Sequence, residues 1–299
     1  MKLKNYTWDR VLFNAIGYPL VIIFALACLL PFIMVVSSSL TSEDYILANG
    51  YTLFPVEFSL EGYKTALKNP AEIVRAYGLT IFVTATGTFL SVLINVMTGY
   101  CLQKRDFKYR NVFSFFFFFT TLFSGGLVPW YIMCVKYLNF KNHIYALILP
   151  SLVSVWNILL AKGYISGIPY EISESAKIDG AGDLRIFLQV IIPLSKPIIA
   201  TLALFTALNY WNDWYNCMLF ISDEKLHTLQ YFLYKLQNSL IAWRNLITHG
   251  GGGGAVTFDF PEESMKMAMT VIVTGPIVLL YPFVQKYFIK GLVVGAVKG

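Results

Sequence analysis

The chain reads as an all-α membrane protein with six spanning helices, on three grounds. Of its 299 residues, 57% are hydrophobic and 13% charged, with a mean hydropathy of +0.60; soluble domains carry roughly a quarter charged residues. The apolar residues gather into uncharged runs that repeatedly reach the roughly 20 residues a helix needs to cross about 30 Å of hydrocarbon. These runs lack the apolar/polar alternation of a membrane β-barrel, so helices must satisfy their backbone groups within lipid. An ordinary cytosolic enzyme and a disordered chain are excluded by the same figures. Net charge is +6 and the pI is near 9.0. The basic residues sit between the apolar runs and read as orientation signals, so no nucleic acid partner is expected.

The first run, Val11 to Ser42, places a span at about 14–38. It is too long for the core of a cleaved signal peptide and ends without a clean small-residue cleavage site, so it is expected to remain as an anchor. Ala76 to Gln103 gives a second span at 76–103, and Asn111 to Val135 a third at 111–134. Asn142 to Ala161 seeds a fourth at 142–164. Pro197 to Ser222, interrupted only by Asp213, gives the fifth at 197–221, and Met267 to Gln285 the sixth at 266–286. The whole chain, 1–299, is expected to form one transmembrane domain.

With Met1 in the cytoplasm, the inner segments hold 14 of the 23 Lys and Arg, four of them in the turn Lys104 to Arg110. That bias sets a multi-pass topology with both termini cytoplasmic. Pro19, Pro31, Pro129, Pro150, Pro276 and Pro282, with Gly125, Gly126 and Gly275, fall inside spans. They serve either as hinges or as the ordinary Gly and Pro of membrane helices. Two outer loops are long, Glu43 to Arg75 and about Asp223 to Lys266, and carry aromatics such as Tyr51, Phe54, Tyr231 and Trp243. They are read as folded surfaces that dock an external partner, with an interfacial aromatic belt as the alternative.

The chemistry of an enzyme is not visible. Gly250 to Gly254 lack the Lys-Ser or Lys-Thr of a phosphate loop and read as a flexible linker. Cys28, Cys101, Cys134 and Cys217 are scattered singly, and His143, His227 and His249 are isolated, so neither a metal site, a disulfide framework nor a catalytic residue is expected. Intramembrane charge is scarce, which disfavours an ion-coupled carrier acting alone. Asp213 is the exception, within Asn209-Tyr210-Trp211-Asn212-Asp213-Trp214. Aromatic faces stack on sugar rings and amides bond hydroxyls, so this stretch is a candidate substrate path. An interfacial Trp/Tyr cluster with Asp213 facing water explains it equally well.

The most informative stretch is Pro169 to Pro197, on the inner side. Pro169 suits a first helical position, and Glu171 and Glu174 favour the positive helix end. Gly180 and Gly182 permit a left-handed or tight turn, and Asp183 can cap a second helix bearing Ile186, Phe187 and Val190. A helix-turn-helix follows, whose small residues Ser175, Ala176, Gly180 and Ala181 admit a close-packed partner.

This segment resembles the EAA loop of binding-protein-dependent ABC importer permeases. The matching positions are Glu174, Ser175, Ala176, Asp179, Gly180, Ala181, Phe187 and Pro193, with only the middle Ala replaced by Ser. Trp211-Asn212-Asp213-Trp214 is similar to the Trp-Asn element of sugar importer permeases. The tail, with Gly291, Gly295, Val297, Lys298 and Gly299, resembles the ending of the maltose-type second permease. Together with Leu226 to Leu233 it looks closest to the LplC-like branch, associated with oligosaccharide or polysaccharide-derived sugars.

The resemblance implies the type I ABC importer permease fold in a bacterial cell membrane, with the loop at 169–197 as a coupling helix seated on an ATPase subunit. It implies a tail reaching between two ATPases and a role for 249–258 in the sugar cleft of an extracytoplasmic binding protein. The implied partners are a second related permease, two ATPase subunits, that sugar-binding protein, an oligosaccharide and membrane lipid. ATP and Mg belong to the ATPases, with no cofactor in this chain. The function so implied is ATP-driven carbohydrate import, the rivals being import of another solute, an ion-coupled carrier, or a membrane enzyme.

Overall fold

The computed structural model describes residues 8–249 and 261–296. In chain order its helices are α1 (Trp8–Ser39), α2 (Glu43–Asn49), α3 (Glu61–Ala66), α4 (Pro70–Gln103), α5 (Arg110–Leu122), α6 (Leu127–Ile132) and α7 (Val155–Ile165). There follow α8 (Tyr170–Ile178), α9 (Asp183–Ile186), α10 (Ile192–Leu194), α11 (Lys196–Trp211), α12 (Tyr215–Phe220), α13 (Leu229–His249) and α14 (Glu262–Ala296). Among the described residues the only extended pairing is an isolated antiparallel bridge between Thr41 and Phe58. Two compact units form: Met1–Pro70 with Leu236–Gly275, and Ala71–Lys235 with Pro276–Gly299.

Leu12–Ser39 and Pro70–Gln103 are each long and apolar enough to cross a membrane unbroken. The expectation of one continuous helix per span fails for the next three. Arg110–Leu122 and Leu127–Tyr137 form a pair bent by 116°, and Ile144–Ser151 and Val155–Ile165 one bent by 49°. Asp183–Leu194 and Lys196–Trp211 meet at 84° at Ser195, just before the fifth span at 197–221. The causes are local. Phe123 is extended and Gly126 takes φ +84, a left-handed backbone that glycine tolerates. Ser154 is extended and caps α7 by accepting from Asn157 N at 3.3 Å. Pro193 and Pro197 lack the N–H groups that would carry a straight helix across Ser195. The fifth span is also interrupted at Asn212–Trp214, before α12. The sixth, 266–286, falls within α14, while α1 runs on through Pro19 and Pro31.

In the first unit the loop after α1 is a folded surface. Ser42 accepts from Tyr45 N to cap α2, and Ser39 and Tyr63 hydroxyls share a hydrogen bond of 2.9 Å. The Glu43 carboxylate accepts from Glu263 N and Ser264 N, both at 2.9 Å, so a side chain 220 residues away caps α14 and complements its positive end. Tyr51 OH donates to Glu263 Oε2 at 2.7 Å. Gly62 lies so near the Ser264 backbone that a Cβ would meet it at 2.7 Å. The second long loop contains the whole of α13, which sequence patterning does not reveal.

The second unit is organised by α4. Its buried face carries Thr80, Gly87, Ser91, Asn95 and Gly99, spaced mostly by four. Helices in lipid gain by close approach rather than by apolar contact, which favours small residues at such a face. A Cβ on Gly99 would lie 2.9 Å from Ala161 Cβ, and one on Gly87 2.6 Å from Tyr210 Cζ. Asn95, fully buried, donates to Leu152 O at 3.2 Å and accepts from Ser154 N at 3.1 Å. It thereby satisfies backbone groups freed at the bend before α7, as lipid requires. Asn157 donates to Thr206 Oγ1 at 3.2 Å, joining α7 to α11. Apolar clusters lie at either end of α4, one around Val83, Tyr210 and Phe220, the other around Val96, Ile165, Phe187 and Leu202. Val83 and Val96 are roughly 20 Å apart along the helix.

Asn95→Leu strands Leu152 C=O and Ser154 N–H, costing about 1–3 kcal/mol, and Gly87→Val displaces the Tyr210 ring. Thermal unfolding in detergent should show both variants melting below the wild type.

Candidate functional site

The segment 169–197 folds as two helical pieces around a Schellman turn. Ala181 N donates to Ala176 O at 2.9 Å and Gly180 N to Lys177 O at 3.0 Å, the paired bonds of that motif. The motif needs a left-handed residue between them, and Gly180 takes φ +79. Glu171 in the first turn and Lys177 in the last complement the α8 dipole. Two caps are displaced from their expected positions. Pro169 is the N-cap of α8, not its first helical residue, and Asp183 is the first residue of α9. The extended Gly182 takes the N-cap in its place, with ψ 162. The Asp183 carboxylate accepts from Lys104 Nζ at 2.6 Å instead.

The matched positions divide by burial. Glu174, Ser175, Asp179, Gly180 and Pro193 are exposed, and Ala176 and Ala181 are half-buried against the cluster that holds Phe187. Phe187 is 2% exposed and stacks on Tyr100 of α4 with ring centroids 5.5 Å apart. It roots the segment in the helix bundle. Next comes a π turn, Phe187–Ile191, where the missing Pro193 N–H leaves the ladder one bond short. Ile178, Leu184 and Leu188 are left exposed beside the turn, an apolar surface with no cover among the described residues.

The turn after α4 does more than orient the chain. Asp106 pairs with Lys177 and accepts from Tyr170 OH at 3.3 Å, while the Arg105 guanidinium lies 5.1 Å from the Tyr170 ring centroid. With Lys104–Asp183, these contacts fasten both pieces of 169–197 to the end of α4. Sequence reading missed this clamp; the lone Asp106 within a basic turn is its only local sign.

The candidate substrate path separates likewise. Tyr210 is buried, its OH donating to Ile148 O at 2.8 Å, and Trp211 is buried with its ring 6.5 Å from that of Tyr77. Asp213 closes the break between α11 and α12, accepting from Asn216 N at 3.0 Å and Asn216 Nδ2 at 2.6 Å. Its side chain is half-buried. Asn209 and Asn212 are exposed, and half-buried Trp214 stacks on Tyr234 at 4.3 Å. Of the tail, Gly291 and Gly295 fall within the backbone of α14, while Val297, Lys298 and Gly299 lie outside the described residues. So do Gly250 to Gly254 and the rest of the stretch to Phe258. Among the described residues no group of His, Cys, Asp or Glu is arranged to hold a metal.

The chain belongs to the family described as binding-protein-dependent transport system inner membrane component, which matches residues 76–294. It is similar to the polygalacturonan/rhamnogalacturonan transport system permease protein YtcP of Bacillus subtilis (strain 168), 36% identical over 288 residues, 96% of this chain and 99% of that one. It is also 36% identical to the protein LplC of the same organism over 271 residues, 91% and 90% of the two chains. Among solved structures, a chain of a bacterial ABC transporter involved in import of the acidic polysaccharide alginate matches with a TM-score of 0.80. That chain is 29% identical, and the match covers 96% of this chain and 100% of that one.

Phe187→Ala should cost about 3 kcal/mol of packing and lower the melting temperature, whereas Ser175→Ala at its exposed site should leave it unchanged. The Asp106 carboxyl is held below its ordinary value by the hydrogen bond and charge of Lys177, and the Lys177 ammonium is raised by Asp106. The carboxylate's contribution is therefore present above about pH 3.9 and lost as pH falls through its lowered value; that of Lys177 is present below about pH 10.4 and lost on going above its raised one. Hydrogen exchange should find α8 amides protected throughout the neutral range and less protected in Asp106→Asn.

Proposed function

We propose that this chain is the transmembrane permease subunit of an ATP-driven, binding-protein-dependent importer of oligosaccharides. The observation that carries the reading is the segment 169–197, with exposed Glu174, Ser175, Asp179 and Gly180 held on a buried Phe187. That arrangement suits a lever. A partner pressing on the exposed turn moves Phe187, and Phe187 packs within one cluster with Tyr100 of α4, Ile165 of α7 and Leu202 of α11.

In this reading the segment faces the cytoplasm and seats on one of two ATPase subunits, which carry the ATP and Mg. Six crossings put both termini inside, and residues 291–299 reach towards the ATPases. A second, related permease completes the path, and α1, whose apolar side chains are exposed along nearly its whole length, faces lipid or that partner. The folded loop in 43–66 and the α13 region offer surfaces for an extracytoplasmic sugar-binding protein. ATP-driven closure shifts the population between two packings of the bundle, opening the path alternately to each side. Asn209, Asn212 and the Trp214–Tyr234 stack are the members of 209–214 and its surroundings able to meet a sugar. The substrate class follows two of the proteins named above, whose names specify polygalacturonan/rhamnogalacturonan and the acidic polysaccharide alginate.

The full complex in proteoliposomes tests the assignment. Gly180→Val cannot hold φ +79 without strain, and Glu174→Lys reverses an exposed charge without touching the turn. Both should insert normally yet lose sugar-stimulated ATP hydrolysis and uptake; stimulation at the wild-type level in both would refute the lever.

A further inference from the structure

We propose that the crossing of α5 and α7 holds the phosphate of an anionic phospholipid, bound by Lys162, Arg110 and Lys108. Lys162 is half-buried and its Nζ donates to Ser114 Oγ at 2.8 Å. That hydroxyl's own proton is engaged, donated to Arg110 O at 2.6 Å, so it gives Lys162 a lone pair and no charge. Among the described residues no carboxylate lies within 4.0 Å of Lys162, Arg110 or Lys108. The two acids of this region are occupied, Asp106 by Lys177 and Asp183 by Lys104. An ammonium partly withdrawn from water with a neutral partner lacks a counter-ion, which an environment of low polarity penalises.

The surroundings specify where that counter-ion comes from. Arg110, also half-buried, opens α5 one turn before Ser114 and on the same helix side. The N-cap Tyr109 gives α5 no side-chain cap, and the positive end of the α5 dipole lies at Arg110. The turn joins two apolar stretches and so sits at headgroup depth. Phe107 stacks on Phe113 at 5.9 Å and meets Tyr109 at 6.4 Å, the ring content of a membrane interface. Val112, Phe113 and Phe116 are exposed on α5 beside the cations, where acyl chains would lie. A soluble anion makes no use of that apolar surface, whereas a phospholipid uses both parts.

The test uses the full chain in detergent, titrated with phosphatidylglycerol, phosphatidylcholine or inorganic phosphate, with bound lipid counted by native mass spectrometry. Phosphatidylglycerol should be retained and phosphatidylcholine not. Lys162→Gln, which keeps a donor for Ser114, and Arg110→Gln should each weaken retention roughly fivefold, the factor that one basic residue contributes at an anionic surface. Lys162→Arg should restore it, and Lys136→Gln, outside this crossing, should leave it unchanged. If Lys162→Gln does not fold, Arg110→Gln and Lys108→Gln carry the comparison. Equal retention of the two lipids, an equal loss in Lys136→Gln, or displacement of the lipid by inorganic phosphate would overturn the proposal.

Discussion

The second unit depends on how closely α4 can approach its neighbours. In lipid, apolar side chains gain little by leaving one apolar medium for another, so packing distance and polar pairing must hold helices together. Gly99 against Ala161 and Gly87 against Tyr210 leave no room for a side chain. Asn95 and Thr80 occupy the same face, each bonding a backbone group of another segment. Where α4 comes near, the bent chain before α7 and the start of α13 find the partners they lack.

The same packing ties a turn at the surface to the bundle. Gly180 fixes the turn, the Schellman bonds fix α8 against it, and Ala176 and Ala181 bring the turn onto the same cluster as Phe187. Phe187 is followed at once by the π turn and the 84° bend into α11. The segment is therefore continuous with a bundle helix and laterally packed on two others. The ion pairs Lys104–Asp183 and Asp106–Lys177 add a second attachment, to the end of α4 itself. Interdigitated packing of this kind moves between discrete arrangements, not by continuous deformation.

The candidate site was legible in part because its signals are local. A glycine after a helical stretch, with small residues on either side, implies a left-handed turn wherever it occurs, and Gly180 takes that conformation. Phe187 was legible as a member of the motif but not as its root, since burial at 2% comes from packing with other helices, Tyr100 of α4 and Ile165 of α7 being distant in sequence. Within 209–214 the same residue types divide between roles. Tyr210 became a core residue because Gly87 made space for it, and Asp213 became a helix cap because the chain breaks at Asn212.

Composition and run length alone fixed the solvent, the helical class and the approximate positions of the apolar stretches, because hydrophobic length is a one-dimensional property that lipid thickness selects. Local turn chemistry fixed the helix-turn-helix. What only the tertiary structure decided is which stretches stay straight and what satisfies them where they bend. A helix in lipid can break only where another segment supplies the missing hydrogen bonds, and Asn95 supplies them to the chain before α7 across 59 residues, while Glu43 caps the start of α14 across 220. No local pattern records such a pairing, since it exists only once both segments have folded.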